Sequence, residues 1–121
     1  MARNLRDMVI AITGASAGIG LEAARMLAGS GARLSLCARR LERLEEISRE
    51  MGVPTLVTRA DVGVPEDCRA FIERTIREFG RIDTLICNAG YGVYKPVEET
   101  SAEEVQQMMQ VDVVGTTECI R

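Results

Sequence analysis

Short apolar runs alternate with amphipathic stretches along most of the chain. Residues 8–12 (Met-Val-Ile-Ala-Ile) are apolar throughout, a pattern typical of a strand that is buried on both faces of a parallel sheet. Three further runs have strand-like composition, and a stretch with helical periodicity precedes each of them. The four predicted strands are residues 8–12, 33–38, 54–60 and 83–87. Strands and helices that alternate in this order indicate an α/β fold.

An amphipathic helix is predicted after each of these strands. In the second one, Leu41, Leu44, Ile47 and Met51 recur at helical spacing, with Glu and Arg on the other face. The first helix is predicted over residues 21–28, and the third begins at Pro65 and stops at Gly80. The last helix is predicted to begin after an N-cap at Thr100 or Ser101, with Glu103 or Glu104 as the capping-box partner. The apolar faces of these last two are predicted to comprise Cys68, Phe71, Ile72, Ile76 and Phe79, and Val105, Met108, Met109 and Val111, respectively.

The order of these elements predicts how the sheet is connected. Residues 8–38 form one β-α-β unit, and a right-handed crossover makes its two strands parallel. We expect a doubly wound, Rossmann-like parallel sheet with strand order 3-2-1-4, in a single domain that covers residues 1–121. This order leaves the outer edge of the fourth strand unpaired, which favours association into a homo-oligomer.

Composition and charge argue against several classes of partner. The chain is 46% hydrophobic and 27% charged, as is ordinary for a globular domain, and its net charge is −3. A weak negative charge gives no attraction to nucleic acid or to an anionic membrane surface. The longest apolar run is too short to cross a bilayer, and residues 1–7 lack the apolar core of a signal peptide. We therefore expect a cytoplasmic protein that binds neither nucleic acid nor membrane.

The four cysteines, Cys37, Cys68, Cys87 and Cys119, are predicted to be reduced core thiols. The sequence has no Cys-x-x-Cys pair and no histidine, so it indicates no metal site. Cys37 and Cys87 end two strands on either side of the first strand, about 10 Å apart at two strand spacings. That separation exceeds the reach of a disulfide.

A glycine-rich turn joins the first strand to the first helix. Residues 13–20 are Thr-Gly-Ala-Ser-Ala-Gly-Ile-Gly. Gly14 permits a tight exit from the strand, Gly18 permits a diphosphate to approach the backbone, and Gly20 permits the helix to lie close to the sheet. The helix N-terminus adds unpaired N–H groups and a partial positive charge. Such a turn can also serve packing alone, and the rest of the chain decides between the two interpretations.

Two motifs carry a resemblance to a known family. Thr13-Gly14-x-x-x-Gly18-Ile19-Gly20 departs from the common Gly-x-Gly-x-x-Gly spacing, and Cys87-Asn88-Ala89-Gly90 follows the fourth strand. Together they resemble the cofactor loop and the Asn-Asn-Ala-Gly motif of the short-chain dehydrogenase/reductase family, with Cys87 in place of the first Asn. The resemblance covers essentially the whole chain. It implies hydride transfer between a nicotinamide dinucleotide and a carbonyl or secondary alcohol of a small-molecule substrate.

The residues after the second strand bear on the choice of cofactor. An NAD-binding unit commonly has Asp or Glu there to bind the ribose hydroxyls, whereas this chain has Ala38-Arg39-Arg40. By resemblance, Arg39 occupies the position at which NADP-preferring members carry arginine, and a guanidinium can clamp a 2′-phosphate with charge-assisted hydrogen bonds. NADP(H) is therefore expected in preference to NAD(H). The alternative is two solvated arginines that open a helix.

The resemblance implies that the cofactor contacts residues after all four strands. The implied cofactor-binding residues are Gly14, Ser16, Gly18, Ile19, Gly20, Arg39, Arg40, Asp61, Val62, Asn88, Ala89, Gly90 and Val111. Asp61 and Val62 match a family pair that borders the adenine, although Asp61 could instead be a loop acid that helps to cap the next helix. Asn88 is expected to tie the strand ends together by hydrogen bonds to the backbone.

Most catalytic residues of the family have no counterpart in this chain. Asp112 aligns with the family's active-site asparagine, but an ionised carboxylate accepts hydrogen bonds and cannot donate as an amide does, which puts its catalytic role in question. Tyr94 and Lys95 are interpreted as loop residues. The family's catalytic serine and Tyr-x-x-x-Lys pair come later than Arg121, so we expect the cofactor-binding half of an oxidoreductase about twice as long. The alternative is a non-catalytic dinucleotide-binding module or a truncated product.

Overall fold

The computed structural model describes residues 4–121 as alternating strands and helices. The strands are Val9–Thr13 (β1), Arg33–Ala38 (β2), Thr55–Arg59 (β3) and Thr84–Ile86 (β4). The α-helices are Gly18–Gly29 (α1), Leu41–Glu50 (α2), Pro65–Phe79 (α3), Ala102–Met109 (α4) and Thr116–Ile120 (α5). Val97–Glu99 forms a 3₁₀ turn, and a π-helical segment, Gln110–Gly115, joins α4 to α5.

All four strands are parallel and stand in the order β3-β2-β1-β4. β1 lies in the interior, where Ile10 pairs with Leu34 of β2 and with Thr84 of β4. The predicted Rossmann-like sheet with strand order 3-2-1-4 is confirmed. Because the strands are parallel, their carboxyl ends meet at one edge of the sheet, and the loops that carry the sequence motifs lie there.

Helices cover both faces of the sheet. Ile10 and Ile12 of β1 belong to one apolar cluster with Leu44 of α2, whereas Ala11 belongs to a second cluster with Phe71 of α3. Successive side chains of a strand point to opposite faces, so this alternation places α2 and α3 on opposite sides. All five residues of β1 are buried, as the apolar run over residues 8–12 predicts for the first four of them.

Most strands and helices differ slightly in their bounds from the prediction, and α1 and β4 illustrate why. α1 begins at Gly18 rather than at Leu21, because the last glycines of the turn already belong to the first helical turn. β4 covers only the middle of the predicted residues 83–87. Asp83 instead binds Val9 through its backbone N–H (2.9 Å) and, with its carboxylate, accepts the N–H of Val9 (2.8 Å). The Asp83 carboxylate therefore extends the hydrogen bonding with β1 to a residue that precedes β4.

The apolar face of α3 is only partly as predicted. Cys68 and Phe71 are buried, but Ile76 is 48% exposed and Thr75 takes the buried position. The Thr75 hydroxyl lies 2.6 Å from the Ser35 hydroxyl of β2. A satisfied polar pair, rather than an isoleucine, thus fills this point between helix and sheet.

The last predicted helix is not a single regular α-helix. Ser101 caps it, since its hydroxyl accepts the N–H of Glu104 (3.2 Å) and the Glu104 carboxylate accepts the N–H of Ser101 (2.8 Å). This capping box is one of the predicted combinations. The segment Gln110–Gly115 then widens the helical turn, and the apolar face is divided: Val111 is buried whereas Val105 is 46% exposed.

Candidate functional site

A cleft of about 810 Å³ opens at the carboxyl ends of the four strands. Its walls come from the loops after β1, β2, β3 and β4 and from one side of the helix that α4 begins. In open parallel sheets, ligands bind at this edge, where the strand order reverses. Ten of the residues predicted to bind a cofactor line the cleft: Gly14, Ser16, Arg39, Arg40, Asp61, Val62, Asn88, Ala89, Gly90 and Val111. The other three, Gly18, Ile19 and Gly20, do not line it.

Two glycines of the turn are required by the space around them. A Cβ on Gly14 would lie 2.8 Å from the Cα of Ala89, and φ is +65° there, which L-residues rarely adopt. A Cβ on Gly20 would overlap the side chain of Asn88 and the carbonyl of Gly14. The glycine turn and the loop after β4 are therefore in direct contact. Gly20 permits this contact, rather than the approach to the sheet that the sequence suggested.

Asn88 joins the end of β4 to the glycine turn. Its Nδ2 donates to the carbonyl of Gly14 at 3.1 Å, and the N–H of Ala89 donates to Oγ1 of Thr13 at 3.0 Å. The first bond requires a side-chain donor, which an amide supplies and a carboxylate does not. The hydrogen bond to the backbone that was expected of Asn88 is therefore present, and the side-chain amide of Asn88 donates it.

Beside the Asn88–Gly14 hydrogen bond, the N-terminus of α1 exposes backbone that no side chain covers. Ala17, at the N-cap, provides no side-chain cap, and the first turn contains no acidic residue. Gly18 has a φ of +57°, and nothing lies within 4 Å of the position that its Cβ would take. Ile19 is 83% exposed. Free N–H groups and the positive end of the helix dipole are therefore available to an anion.

Arg39 and Arg40 follow β2 on the cleft wall, and both are exposed. Among the described residues 4–121, neither guanidinium has an ion pair or a hydrogen bond. Ala38, the last residue of β2, contributes a methyl group where a carboxylate would bind ribose hydroxyls. This end of the cleft therefore carries two guanidinium groups that no acid of residues 4–121 pairs with.

Asp61 and Val62 follow β3 in the same part of the cleft. Oδ1 of Asp61 accepts the N–H of Gly63 at 2.8 Å, a bond within the loop. Asp61 does not cap the next helix, since the N-cap of α3 is Val64 and has no side-chain cap. The second carboxylate oxygen of Asp61 has no hydrogen-bond partner within residues 4–121.

Asp112 does not line the cleft, but it hydrogen-bonds the segment after β4, which does. Its Oδ1 accepts the N–H of Tyr91 at 2.8 Å, and a Cβ on Gly90 would lie 3.6 Å from the same oxygen. The carboxylate therefore fastens the chain just after Gly90 to the π-helical segment. This bond needs only an acceptor, so a carboxylate can form it as well as an amide can.

Tyr91 and Lys95 stand at the Tyr-x-x-x-Lys spacing, which the sequence interpretation overlooked. They lie in a loop rather than on a helix, so this spacing does not place them one helical turn apart. Nζ of Lys95 pairs with Oε1 of Glu104 at 2.7 Å, and this hydrogen bond lowers the pKa of the Glu104 carboxyl. Tyr94 is fully exposed. Lys95 is thus engaged in holding the loop to α4.

None of the cysteines is arranged as a nucleophile. All four are free, and Cys37, Cys68 and Cys119 are buried. Burial raises the pKa of the Cys37 and Cys68 thiols and raises that of Cys119 to about 12. These thiols remain protonated near neutral pH, and the thiolate is the reactive form. No cluster of His, Cys, Asp and Glu side chains in residues 4–121 could hold a metal ion.

Four residues of the cleft wall are absent from the predicted set: Ala38, Ala60, Tyr91 and Gln107. Gln107 lies four residues before Val111, and residues at this spacing share one helix face. The assignment of Val111 to the site was therefore the signal that could have identified Gln107.

In the part of the chain that the structure describes, no helix is both long and apolar enough to cross a membrane.

The parallel sheet and the cleft at its carboxyl edge define a Rossmann-like, nucleotide-binding class of protein. The family model for short chain dehydrogenases matches residues 8–121. An uncharacterized oxidoreductase of Staphylococcus saprophyticus is 42% identical over 113 residues, which cover 93% of this chain and 46% of that protein.

Solved structures give the same result. The alcohol dehydrogenase of the archaeon Thermococcus sibiricus, complexed with 5-hydroxy-NADP, has 38% identity and a TM-score of 0.89 over 95% of this chain and 51% of that one. The 3-ketoacyl-(acyl-carrier-protein) reductase of Brucella melitensis, complexed with NADH, has 31% identity and a TM-score of 0.92 over 97% and 48%. The chain belongs to the short-chain dehydrogenase/reductase family of oxidoreductases. It spans about half the length of each of these three relatives.

Proposed function

We propose that the cleft binds a nicotinamide dinucleotide and prefers NADP(H) to NAD(H). The observation that carries this proposal is the bare backbone of the glycine turn at the N-terminus of α1, beside a cleft that also contains two arginines without acidic partners in residues 4–121. The archaeal relative was solved with 5-hydroxy-NADP and the Brucella relative with NADH, which supports this class of ligand.

The residues of the glycine turn fit the diphosphate of such a ligand. The cleft volume lies within the usual range for small-molecule sites. We assign the diphosphate to the turn formed by Gly14, Ser16, Gly18, Ile19 and Gly20, where free N–H groups and the helix dipole favour negative charge. Side chains at Gly14 or Gly20 would collide with the loop after β4, so the turn keeps its shape only with glycine there.

Arg39 and Arg40 are proposed to bind the 2′-phosphate that distinguishes NADP from NAD. A hydrogen bond to a charged group contributes about 1.5–3 kcal/mol, and a guanidinium can form two in parallel. The absence of an acid at Ala38 supports this choice, because a carboxylate there would repel the phosphate.

The remaining predicted residues are proposed to contact the two ends of the dinucleotide. The assignments are Asp61, Val62 and Val111 for the adenosine end, and Asn88, Ala89 and Gly90 for the nicotinamide ribose. Val62 and Val111 supply apolar surface to a flat base, and both are buried. Asp112 is proposed to position the segment after Gly90 rather than to transfer a proton.

The chain is proposed to be the cofactor-binding part of an enzyme that reduces a carbonyl group or oxidises a secondary alcohol of a small molecule. A bound nicotinamide supplies or accepts the hydride.

We further propose self-association, since the outer edge of β4 has no strand partner within residues 4–121. Light scattering measures the molar mass of the assembly and so tests this. A non-catalytic dinucleotide-binding module is the second candidate; it is favoured because Asp112, which aligns with the family's active-site asparagine, accepts the N–H of Tyr91 (2.8 Å).

Calorimetric titration with NADPH tests the binding proposal. Gly18→Leu places a side chain in the open space in front of the turn, and we expect binding to weaken by about a hundredfold or more. Gly52→Leu is the matched control, because Gly52 also has a positive φ (+67°) and open surroundings but does not line the cleft. Both variants carry a similar backbone penalty of about 1–2 kcal/mol.

We expect the Gly52→Leu chain to bind NADPH as tightly as the unsubstituted chain. If Gly18→Leu and Gly52→Leu bind equally well, the diphosphate does not rest on the turn and the proposal is wrong. Oxidation of NADPH in the presence of small aldehydes or ketones, measured with the native gene product, then separates the two candidate functions. Turnover supports the enzyme, and binding without turnover supports the non-catalytic module.

A further inference from the structure

Gln107 lies at the part of the cleft assigned to adenosine, although no sequence motif points to it. Three side-chain atoms converge on the space beside the bare Cα of Gly63. From the position that a Cβ on Gly63 would take, Oδ1 of Asp61 is 3.1 Å away, Cγ2 of Val111 is 3.4 Å away and Nε2 of Gln107 is 3.6 Å away. A hydrogen-bond acceptor, an apolar surface and a hydrogen-bond donor therefore surround one small space on the cleft wall.

The fold does not use the side-chain amide of Gln107. It makes no hydrogen bond within residues 4–121, whereas the amide of Gln110 donates to the carbonyl of Gly63 at 3.0 Å. Gln110 thus holds the loop after β3 against the helix, and Gln107 is exposed on the wall of the cleft. Oδ1 of Asp61 accepts the N–H of Gly63, and the other carboxylate oxygen has no hydrogen-bond partner in the described residues.

We propose that Gln107 hydrogen-bonds the purine base beside Asp61 and thereby favours adenine over hypoxanthine. This inference rests on the proposed dinucleotide site. Adenine presents an amino donor beside a ring-nitrogen acceptor, whereas hypoxanthine presents a carbonyl acceptor beside an N–H donor. The carboxylate of Asp61 only accepts and so matches the amino group. Nε2 of Gln107 donates and so matches the ring nitrogen of adenine; glutamine amides read adenine edges in nucleic acids with the same chemistry.

Titrations with NADPH and with its hypoxanthine analogue test the inference through the ratio of their dissociation constants. Gln107→Glu replaces the donor with an acceptor, which repels the adenine nitrogen and accepts the hypoxanthine N–H. We expect the ratio to move towards the hypoxanthine analogue by about tenfold or more. Gln106→Glu is the matched control, since it adds the same charge on α4 at a residue that does not line the cleft. Repulsion of the phosphates weakens both dinucleotides alike and cancels in the ratio.

Gln107→Ala provides a second variant without added charge, and we expect it to weaken NADPH binding by about three- to tenfold. If the ratio in Gln107→Glu equals that in Gln106→Glu while NADPH still binds, Gln107 does not read the base, and the dinucleotide site itself still stands. If the unsubstituted chain fails to bind NADPH, the proposed function and this inference both fall.

Discussion

Arg39 is the residue on which the proposed preference for NADP(H) over NAD(H) chiefly depends. It follows Ala38, so no carboxylate occupies the end of β2, and its guanidinium has no ionic partner among residues 4–121. A phosphate can therefore bind it without the loss of an existing ion pair. This differs from Arg43 one turn later, which pairs with Glu46 at 3.3 Å.

Arg39→Ala is expected to weaken NADPH binding by about ten- to a hundredfold and to leave NADH binding almost unchanged, because only NADPH carries the 2′-phosphate. Calorimetry with both cofactors measures the difference. Arg43→Ala is the control for loss of a positive charge nearby, in the first turn of α2, and we expect it to affect both cofactors slightly and equally. Equal losses of NADPH and NADH affinity in Arg39→Ala would remove Arg39 from the phosphate site.

At the scale of elements, the change of helical pitch over Gln110–Gly115 shapes one wall of the cleft. Val111, inside this segment, lines the cleft, and Gly115, at its end, lies against Val62 of the loop after β3. A Cβ on Gly115 would overlap the carbonyl oxygen of Val62. The segment can therefore approach this loop only because position 115 has no side chain.

Gly115→Ala is expected to lower the free energy of unfolding by about 1–3 kcal/mol, since overpacking outweighs the higher helix propensity of alanine. Gly29→Ala is the control, because Gly29 ends α1 and has nothing within 4 Å of its Cβ position. Urea denaturation should show no loss of stability in the control. If Gly115→Ala proves as stable as Gly29→Ala, the close contact with Val62 does not constrain the helix.

The elements that the sequence predicts well are those determined by local patterns. The apolar run of β1 and the periodicity of α2 required no tertiary information, and the strand order followed from the doubly wound fold that the alternating elements predict. Other features depend on contacts between distant residues. Thr75 replaces Ile76 at the sheet because it can bond to Ser35, a residue 40 positions away. Gln107 enters the cleft because of the way α4 lies across the loops, and its helical spacing from Val111 is the one trace of this along the chain.

At the scale of the whole molecule, buried thiols couple stability to alkaline pH. An unfolded thiol has a pKa of about 8.5, whereas burial raises the pKa of Cys37 and raises that of Cys119 to about 12. Above pH 8.5 the unfolded chain loses thiol protons that the folded chain keeps, so the unfolded state gains stability.

We expect the free energy of unfolding to be constant between pH 7 and 8 and to fall above pH 8.5, by up to about 1.4 kcal/mol per pH unit for each buried thiol. Urea denaturation in the presence of a reductant measures this from pH 7 to 10. Cys37→Ala should reduce the slope above pH 8.5, whatever its effect on stability at pH 7. A stability that does not change up to pH 10 would show that the thiols are not shielded from solvent.

The hydrogen bond from Asn88 to Gly14 joins residues 74 positions apart. On a ribosome, the glycine turn therefore emerges long before the amide that holds its carbonyl. The two halves of the cleft meet only after β4 has taken its place beside β1, so a nascent chain cannot bind a dinucleotide tightly before β4 pairs with β1. Binding of a dinucleotide then reports that this pairing has formed, and a cell that supplies the nucleotide stabilises only those copies in which it has.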